Sequence, residues 1–272
     1  MKCNLCDGAK FERIFPDNGI VRCENCGLIF THPQPSEKEI ERSYNEGLFS
    51  PTDYYKRLEK TDNRNFSQIF RGVEKFKKAG RVLDIGCGTG NFLLLAYKSG
   101  WNVYGVEINK NSVNECKIKL SNKRLHIKSG APKNNLFRNE YFEWINLGDV
   151  IEHVKDPDGL LKTVFKKLKK GGVLTISTPN ISSWLARKFQ IKPNEHLFYF
   201  NEKTLGRMVE KNGFKIITIN SYSPYRNLSL LSYSSTFMAR KTKKIFNIIK
   251  KLFGDLIVKL PFRDEIFVIV RK

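Results

Sequence analysis

Residues 81–92 of this chain read RVLDIGCGTGNF. The first five residues have the apolar pattern of a buried strand, and the glycine-rich middle predicts a tight turn that opens a helix at 91–98. Glycine is needed at Gly86, Gly88 and Gly90 because any Cβ there would keep the backbone from approaching a ligand closely. The stretch therefore predicts a ligand site where a strand ends and a helix begins.

The alternation of strand and helix continues to the end of the chain. Further strand patterns lie at about 101–106, 125–128, 144–147, 173–178, 214–221 and 265–271, and further helix patterns at about 157–170 and 202–211. Two glycines at 171–172 predict the end of the helix over 157–170. Seven strands with intervening helices indicate an α/β fold with a Rossmann-like, seven-stranded, mostly parallel sheet and helices on both faces.

Two acidic residues narrow the choice of ligand. Asp84 stands at the end of the first strand and points into the glycine turn, where it would repel a pyrophosphate but attract the cationic amino acid end of S-adenosylmethionine. Glu107 ends the second strand, where an acidic group can accept hydrogen bonds from both ribose hydroxyls. Together they favour S-adenosylmethionine over a dinucleotide.

Four of the six cysteines form two C-x-x-C pairs with 16 residues between the pairs: Cys3, Cys6, Cys23 and Cys26. Each pair can aim two thiolates at one point, so the two pairs supply a tetrahedral shell for Zn²⁺. Gly8 and Gly27 follow the pairs, where such knuckles often need a positive φ. Disulfides are one alternative, which a cytosolic context disfavours. A thioredoxin-like redox role is another, which the lack of an adjacent βαβ pattern disfavours. Because four thiolates leave no ligand position open, we expect the zinc to be structural.

Two helices are predicted between the cysteines and the sheet. The residues from Ser36 to Glu39 have the pattern of a capping box that opens a helix to about Tyr44, and apolar spacing predicts a longer helix over about 52–78. The predicted organisation is a zinc ribbon at 1–32, a helical linker at 33–78, and a main domain at 79–272 with an insertion at 222–263 between its last two strands.

The glycine turn and Glu107 combine with three further motifs, NLGDVIEHV at 146–154, LKKGG at 168–172 and STPN at 177–180. In this combination residues 79–222 resemble the class I S-adenosylmethionine-dependent methyltransferases, in particular the branch of the ubiquinone-biosynthesis O-methyltransferases and the sugar and glycan methyltransferases. The chain departs from the family where members usually carry an Asp after the third strand and Phe-Asp before the fourth.

The resemblance implies where the cofactor binds. The glycines of the turn would line its methionine end and Glu107 would hold the ribose. In place of the usual Asp at the adenine, Ala131 can offer only its backbone. The residues that we expect around the cofactor are Asp84, Gly86, Cys87, Gly88, Gly90, Glu107, Ile108, Gly130, Ala131 and Asp149.

Methyl transfer is a direct displacement, so an enzyme mainly has to align the acceptor with the methyl group. A base that takes the proton of a hydroxyl acceptor adds about 10²–10⁴-fold. Asp149, Glu152 and His153 follow the fourth strand, and His153 is our first candidate for this base; a structural role in the following turn is the alternative. In the resembling enzymes this Glu-His pair lies at the active site, where some members bind a divalent metal. His196, after the fifth strand, is a second candidate, and a metal site formed by these four residues is a less favoured hypothesis.

Charge and composition bear on the partners. The 272 residues include 48 Lys and Arg against 27 Asp and Glu, a net charge of +21. Such an excess attracts RNA, an anionic membrane or phosphorylated substrates. The alternative is a general compositional bias toward lysine, because the basic residues are spread along the chain and do not form one block. No apolar run approaches the roughly 20 residues that span a bilayer, and the start lacks an apolar signal region, so we expect a cytoplasmic protein. Residues 236–260 combine an apolar face with lysines, which predicts a packed helix or one lying peripherally on the inner membrane surface.

The leading hypothesis from the sequence is methyl transfer from S-adenosylmethionine to an oxygen atom of a small-molecule or glycan acceptor. If the protein lies on the membrane, a lipid-linked glycan would be a natural acceptor. The alternative is an rRNA or tRNA methyltransferase, motivated by the charge and the zinc ribbon. Against it, the chain lacks the Asn/Asp-Pro-Pro-aromatic motif of base amino-group methylation and a cysteine placed for pyrimidine-carbon methylation. An inactive binding module is a third reading, which the intact glycine turn disfavours. The sequence leaves the oligomeric state open.

Overall fold

The computed structural model describes residues 1–15, 19–46, 51–120, 126–131, 136–227 and 256–272. The N-terminal part contains β1 (Phe11–Phe15), β2 (Ile20–Cys23), β3 (Ile29–Thr31), α1 (Glu37–Glu46) and α2 (Pro51–Glu74). The central part contains β4 (Arg81–Ile85), α3 (Asn91–Lys98), β5 (Asn102–Glu107), α4 (Lys110–Lys119), β6 (His126–Ser129), β7 (Phe142–Gly148) and α5 (Pro157–Lys167). The C-terminal part contains β8 (Leu168–Pro179), α6 (Trp184–Phe189), β9 (Phe198–Tyr199), α7 (Glu202–Lys211), β10 (Lys215–Tyr222), β11 (Tyr225–Asn227), β12 (Ile257–Lys259) and β13 (Glu265–Arg271).

The seven strands predicted from the sequence form one sheet in the order β10-β13-β8-β7-β4-β5-β6. The neighbours from β8 to β6 are parallel, and β13 runs antiparallel between β8 and β10. This confirms the α/β fold with a mostly parallel sheet. Because β4, β5, β7 and β8 are parallel, their carboxyl ends meet at one edge, which is where such sheets bind ligands.

Helices cover both faces of the sheet, as predicted. On one face, α2 and α3 pack through Phe70 and Phe92 against Trp144 of β7, with ring centroids 4.8 and 5.1 Å apart in edge-to-face geometry. The regularly spaced apolar residues of the predicted linker helix thus form the buried side of α2, which includes Ile69 and Val73. On the other face, the core contains residues of α5 and α7 and of the cysteine-rich module.

Some predicted boundaries were wrong. The helix predicted over 157–170 ends at Lys167, and β8 begins at once with Leu168, which pairs with Phe142. The glycines at 171–172 lie within β8 and exchange backbone hydrogen bonds with Lys272 (3.2 and 3.0 Å). These long-range bonds prevail over the local C-cap signal. The helix predicted over 52–78 ends at Glu74.

The predicted capping box of α1 is confirmed. The Ser36 N–H donates to Glu39 Oε2 (2.7 Å), and the Glu39 N–H donates to Ser36 Oγ (3.2 Å). The reciprocal pair satisfies donors that the first turn of a helix leaves free.

The insertion at 222–263 is described at its two ends, where β11 and β12 pair antiparallel. The amphipathic segment predicted at 236–260 lies outside the described residues as far as residue 255. Within the described part of the chain, no helix has the length and apolarity to cross a membrane. The strands β1, β2 and β3 form a separate small sheet that β9 extends.

Candidate active site

The glycine turn lies at the carboxyl end of β4 and is held against β5. The N–H groups of Gly86 and Cys87 both donate to the Val106 carbonyl (2.8 and 3.1 Å). Gly86, Gly88 and Gly90 have φ values of 76°, 50° and 84°, the left-handed region that favours glycine. A Cβ on Gly86 would lie 2.5 Å from Val150 Cγ2. Both the backbone conformation and the available space therefore require glycine at this position.

Glu107 is buried at the end of β5 and holds the turn from the side. Its Oε2 accepts the Gly88 N–H (2.9 Å) and its Oε1 accepts the Asn109 N–H (2.8 Å). Desolvation raises the pKa of Glu107, against the effect of these hydrogen bonds. Since a carboxylate can accept about four hydrogen bonds, Glu107 retains acceptor capacity for a further donor such as a ribose hydroxyl.

Asp84 is buried at the end of β4. Its Oδ1 accepts the Asn146 amide (2.8 Å), and Asn146 Oδ1 in turn accepts the Thr175 hydroxyl (2.7 Å). Desolvation raises the pKa of Asp84 to about 7, and the charge of Glu107 adds to the rise. The structure therefore places a carboxyl that readily gains or loses a proton directly before the glycine turn.

The N-terminal helices bring to this edge two further residues, Asp62 and Tyr44, that no sequence motif indicated. Asp62 of α2 accepts the Asn91 amide at the start of α3 (2.8 Å), and burial raises the pKa of Asp62 to about 7. The Tyr44 carbonyl at the end of α1 accepts the Asn109 amide, and the Tyr44 ring contacts His153 edge-on at 6.3 Å. Only the tertiary contacts place Asp62 and Tyr44 at this edge, because neither residue belongs to a local sequence motif.

The remaining cofactor candidates surround the same edge. The Gly130 N–H donates to the Glu107 carbonyl (2.8 Å), and Gly130, with φ 118°, has open space where a Cβ would be. Ala131 is exposed beside it, Ile108 is half-buried and Cys87 is buried. The residues carried over from the resemblance therefore lie around the ends of β4, β5 and β6.

Asp149 directly follows β7 in a left-handed conformation with φ 52°. Its N–H donates to the Ser177 carbonyl of β8 (3.0 Å), which fixes it at the carboxyl edge. The carboxyl keeps access to solvent, but the surrounding protein still desolvates it and raises its pKa, while the charge of Arg226 opposes the rise. Asp149 therefore lies at the edge that carries the glycine turn.

Glu152, His153 and His196 come together as one cluster, whose potential metal-ligating atoms all lie within 4.8 Å of one another. The two rings contact edge-on, with centroids 4.8 Å apart. His153 Nδ1 lies 2.8 Å from the Glu195 carbonyl, and His196 Nδ1 lies 2.8 Å from the Gln190 carbonyl. Because a carbonyl only accepts, both Nδ1 atoms carry the hydrogen and both Nε2 atoms keep a free lone pair.

Glu152 and His196 are buried and His153 is partly buried, and desolvation controls their protonation. Desolvation lowers the pKa of His153 and lowers that of His196 to about 3, so both rings are neutral near pH 7. Desolvation also raises the pKa of Glu152 well above its usual range. Glu152 Oε2 accepts the Thr178 hydroxyl (2.9 Å), whereas Oε1 has no hydrogen-bond partner among the described residues.

A divalent cation fits this cluster. Two neutral imidazole Nε2 atoms and the unpartnered Glu152 Oε1, whose carboxyl would lose its proton on binding a cation, are a common donor set for transition metals. Backbone carbonyls on the opposite ring nitrogens fix the required tautomer. A cavity of about 10 Å³ borders Glu152 and His196. Asp149, which the sequence hypothesis added as a fourth ligand, is not a member of this group within the described part of the chain.

The four cysteines of the N-terminal module also converge. The Sγ atoms of Cys3 and Cys26 are 3.5 Å apart and those of Cys6 and Cys23 are 3.6 Å apart. Zn–S bonds of about 2.3 Å in a tetrahedron place sulfurs about 3.8 Å apart. Burial acts to raise the pKa of Cys6, but hydrogen bonds from the Gly8 backbone and Asn25 lower it to about 7. The four sulfurs therefore fit a tetrahedral metal ion.

The two cysteine knuckles differ in how they turn. In the second, Gly27 has φ 78°, as predicted. In the first, Asp7 rather than Gly8 has the positive φ, 57°, and its N–H donates to the Cys3 carbonyl (2.9 Å). Asp is among the few residues other than glycine that tolerate this region.

Comparison with known proteins agrees with this geometry. Residues 56–219 match the sequence profile of a family described as a methyltransferase domain. A ubiquinone biosynthesis O-methyltransferase from Pelagibacter ubique is 30% identical over 112 residues, which are 40% of this chain and 46% of that protein. The protein of the same name from Coxiella burnetii is 25% identical over 166 residues, 55% of this chain and 70% of that protein. The chain thus spans less than half of the Pelagibacter relative.

Solved structures share the fold. An S-adenosylmethionine-dependent methyltransferase from Archaeoglobus fulgidus superposes with a TM-score of 0.56 at 25% identity, covering 80% of this chain and 99% of the other. Phosphoethanolamine N-methyltransferase 2 from Haemonchus contortus, in complex with S-adenosylmethionine, gives a TM-score of 0.58 at 18% identity, covering 90% of this chain and 61% of the other. At that identity the second similarity concerns the fold alone.

Proposed function

This chain belongs to the class I S-adenosylmethionine-dependent methyltransferases, and from that membership we propose that it methylates a hydroxyl group of a small-molecule acceptor. The observation that carries the proposal is the contact between His153 Nδ1 and the Glu195 carbonyl (2.8 Å), which leaves the Nε2 lone pair of His153 free. The O-methyltransferases among the relatives support oxygen as the acceptor atom.

The cofactor supplies an electrophilic methyl group on a positively charged sulfur when it is bound. Gly86, Gly88 and Gly90 let the backbone approach its methionine part, and Asp84 provides the negative charge that complements a cationic amino acid group. Glu107 offers its remaining acceptor capacity to the ribose. Gly130, beside open space, leaves room for the adenine next to the backbone of β6.

His153 acts as the general base in this proposal. A neutral imidazole is required to take the proton that the acceptor hydroxyl loses as its oxygen bonds to the methyl carbon. Burial favours the neutral ring by lowering the pKa of His153. The Glu195 carbonyl orients the ring so that Nε2, and not Nδ1, is available for that proton.

Glu152, His153 and His196 can instead hold a divalent cation, which would lower the pKa of an acceptor hydroxyl without a separate base. At the N-terminus, we propose that Cys3, Cys6, Cys23 and Cys26 hold a structural Zn²⁺, since four thiolates complete its shell. A structural site of this kind stabilises a module that is too small to fold on its core alone.

The proposed function can be tested with purified full-length protein and S-adenosylmethionine that carries a radiolabelled methyl group. Separate reactions contain phenols, free sugars, lipid-linked glycans, amines or total RNA, each with and without added Mn²⁺. We expect the label on a hydroxyl group of a small molecule. Label that appears only on RNA or on amines would contradict the proposal.

Two variants test the base. We expect His153→Gln to lower turnover by about 10²–10⁴-fold, the usual contribution of a general base, while the Kd for S-adenosylmethionine stays within about twofold. His126→Gln is the matched control, since His126 is an exposed histidine on β6 that stacks on Tyr104. Full turnover in His153→Gln would exclude His153 as the base.

A further inference from the structure

The two-residue strand β9 connects the active site to the cysteine-rich module. It follows His196 in the chain and pairs antiparallel with β3, with Ile29 opposite Tyr199 and Phe30 opposite Phe198. This pairing makes β9 the fourth strand of the small sheet. The segment that carries His196 is therefore hydrogen-bonded to the last strand of the cysteine-rich module.

Thr31 makes the contact nearest to the active site. It is 4% exposed, its N–H donates to the Leu197 carbonyl (2.9 Å), and its hydroxyl donates to the His196 carbonyl (3.0 Å). Two consecutive carbonyls of the 196–199 segment are thus held by one residue of β3. A buried threonine hydroxyl bonded in this way fixes the peptide from which the His196 side chain projects.

The opposite side of the same segment holds Glu152. The N–H groups of Leu197 and Phe198 both donate to the Glu152 carbonyl (2.7 and 3.1 Å). Glu152 directly precedes His153, so the segment lies between β3 and the turn that carries the other two members of the cluster. A shift of β3 would be transmitted to all three side chains.

The cysteines in turn hold β3. The Cys23 N–H at the end of β2 donates to the Leu28 carbonyl (2.9 Å), and the Gly27 N–H donates to the Cys23 carbonyl (2.9 Å). Strand β2 then pairs with β3 from Arg22 opposite Ile29 to Ile20 opposite Thr31. A metal on Cys23 and Cys26 would close this hairpin at the knuckle, and Cys26 lies three residues before Ile29, the first residue of β3.

We propose that Thr31 is a positioning residue of the active site and that, through it, the metal in the cysteine cluster maintains the geometry of Glu152, His153 and His196. The proposal rests on the proposed function for the role of that cluster. Thr31 touches none of the reacting atoms and acts through the backbone of the 196–198 segment.

The test uses the ring N–H groups of the two histidines as reporters. The chain has four histidines, so histidine-selective ¹⁵N labelling gives few resonances. In the wild-type, zinc-loaded protein we expect two protected Nδ1–H signals, from His153 bonded to Glu195 and from His196 bonded to Gln190. Absence of both signals from the folded wild-type protein would overturn the proposal.

The exchange of these two signals with solvent is compared among three variants and the wild type. Thr31→Val keeps the branched shape but removes the hydroxyl, and we expect solvent exchange of both signals to rise roughly tenfold, the effect of losing one buried hydrogen bond. Thr31→Ser restores the hydroxyl and should return exchange to within about twofold of the wild type. Arg22→Ala is the control within the module, because it removes only an exposed ion pair with Glu12. Exchange that is unchanged in Thr31→Val, or equal in Thr31→Ser and Thr31→Val, would overturn the proposal.

Two further measurements separate this inference from the proposed function. Loss of the metal from the cysteine cluster alone, in Cys6→Ser, should raise the exchange of the two signals at least as much as Thr31→Val does. The Kd for S-adenosylmethionine should stay within about twofold in Thr31→Val, which shows that the variant is folded. If the signals respond as expected but no hydroxyl acceptor is methylated, the positioning role stands and the proposed function fails.

Discussion

Replacement of Gly86 by alanine measures how closely the glycine turn is packed. Gly171 provides a matched comparison, because it also has a positive φ (70°, against 76° for Gly86) but has no atom within 4 Å of the position of an added Cβ. In Gly171→Ala we therefore expect only the backbone cost of a left-handed alanine, about 1–2 kcal/mol.

Gly86→Ala should cost more because its Cβ would lie 2.5 Å from Val150 Cγ2. Carbon atoms in contact are normally about 3.5–4.0 Å apart, and valine has little rotamer freedom with which to withdraw. Overpacking of this kind costs about 1–3 kcal/mol. Added to the backbone cost of about 1–2 kcal/mol, this gives about 2–5 kcal/mol for Gly86→Ala.

Urea unfolding of both variants and calorimetric titration with S-adenosylmethionine are the assays. We expect Gly86→Ala to weaken cofactor binding at least about tenfold, because the displaced turn loses its approach to the ligand, whereas Gly171→Ala should bind like the wild type. Val150→Ala removes the clashing methyl group, so the double variant should show a favourable coupling energy of about 1–3 kcal/mol with Gly86→Ala. Equal destabilisation by Gly86→Ala and Gly171→Ala, with no coupling to Val150, would refute the close packing of the turn.

Two other predictions concern the cysteine cluster and the carboxyl before the glycine turn. Cys6→Ser should reduce the bound zinc, measured by elemental analysis, from about one per chain to none and lower the melting temperature, because zinc binding supplies folding free energy. Cys116→Ser, a buried cysteine outside the cluster, should keep its zinc. Burial raises the pKa of Asp84 from 3.8 to about 7, so binding of the cationic cofactor, which favours the carboxylate, should release protons near pH 7 and progressively fewer above it. Calorimetry in buffers of different ionisation enthalpy measures this release, and its persistence in Asp84→Asn would contradict the assignment.

The sequence predicted the sheet because most of its strands have an apolar run bounded by glycine, proline or polar residues. Strand β6, with the sequence HIKS, is an exception. The glycine turn and Glu107 could be predicted for the same reason, since the spacing of a strand, three glycines and a second strand end is local. The capping box at Ser36 and Glu39 is likewise a four-residue pattern whose two partners are adjacent in the chain.

The features that sequence analysis missed depend on long-range contacts. The pairing of β3 with β9 joins residues about 170 positions apart through a strand of only two residues, which has no periodicity of its own. The contact between Asp62 and Asn91 depends on where α2 crosses α3, and this is set by the packing of rings around Trp144. The early start of β8 follows from its bonds to Lys272 at the other end of the chain. In each case tertiary hydrogen bonds prevail over local preference.

The charge at the candidate site differs from that of the chain as a whole, and this difference bears on the acceptor. Although the net charge is +21, carboxyls gather at the candidate site, where desolvation raises the pKa of Asp62, Glu152 and Glu265 and the charge of Asp149 adds to the rise. Arg226 is already paired with Asp264 (2.7 Å) and so offers little free positive charge there. A phosphate-rich acceptor would gain little from the paired Arg226 and would meet the carboxylate charge that remains at this edge, whereas a neutral hydroxyl compound would not. The basic surplus of the chain is therefore a poor guide to the acceptor, and the local carboxyls are consistent with the proposed hydroxyl acceptor.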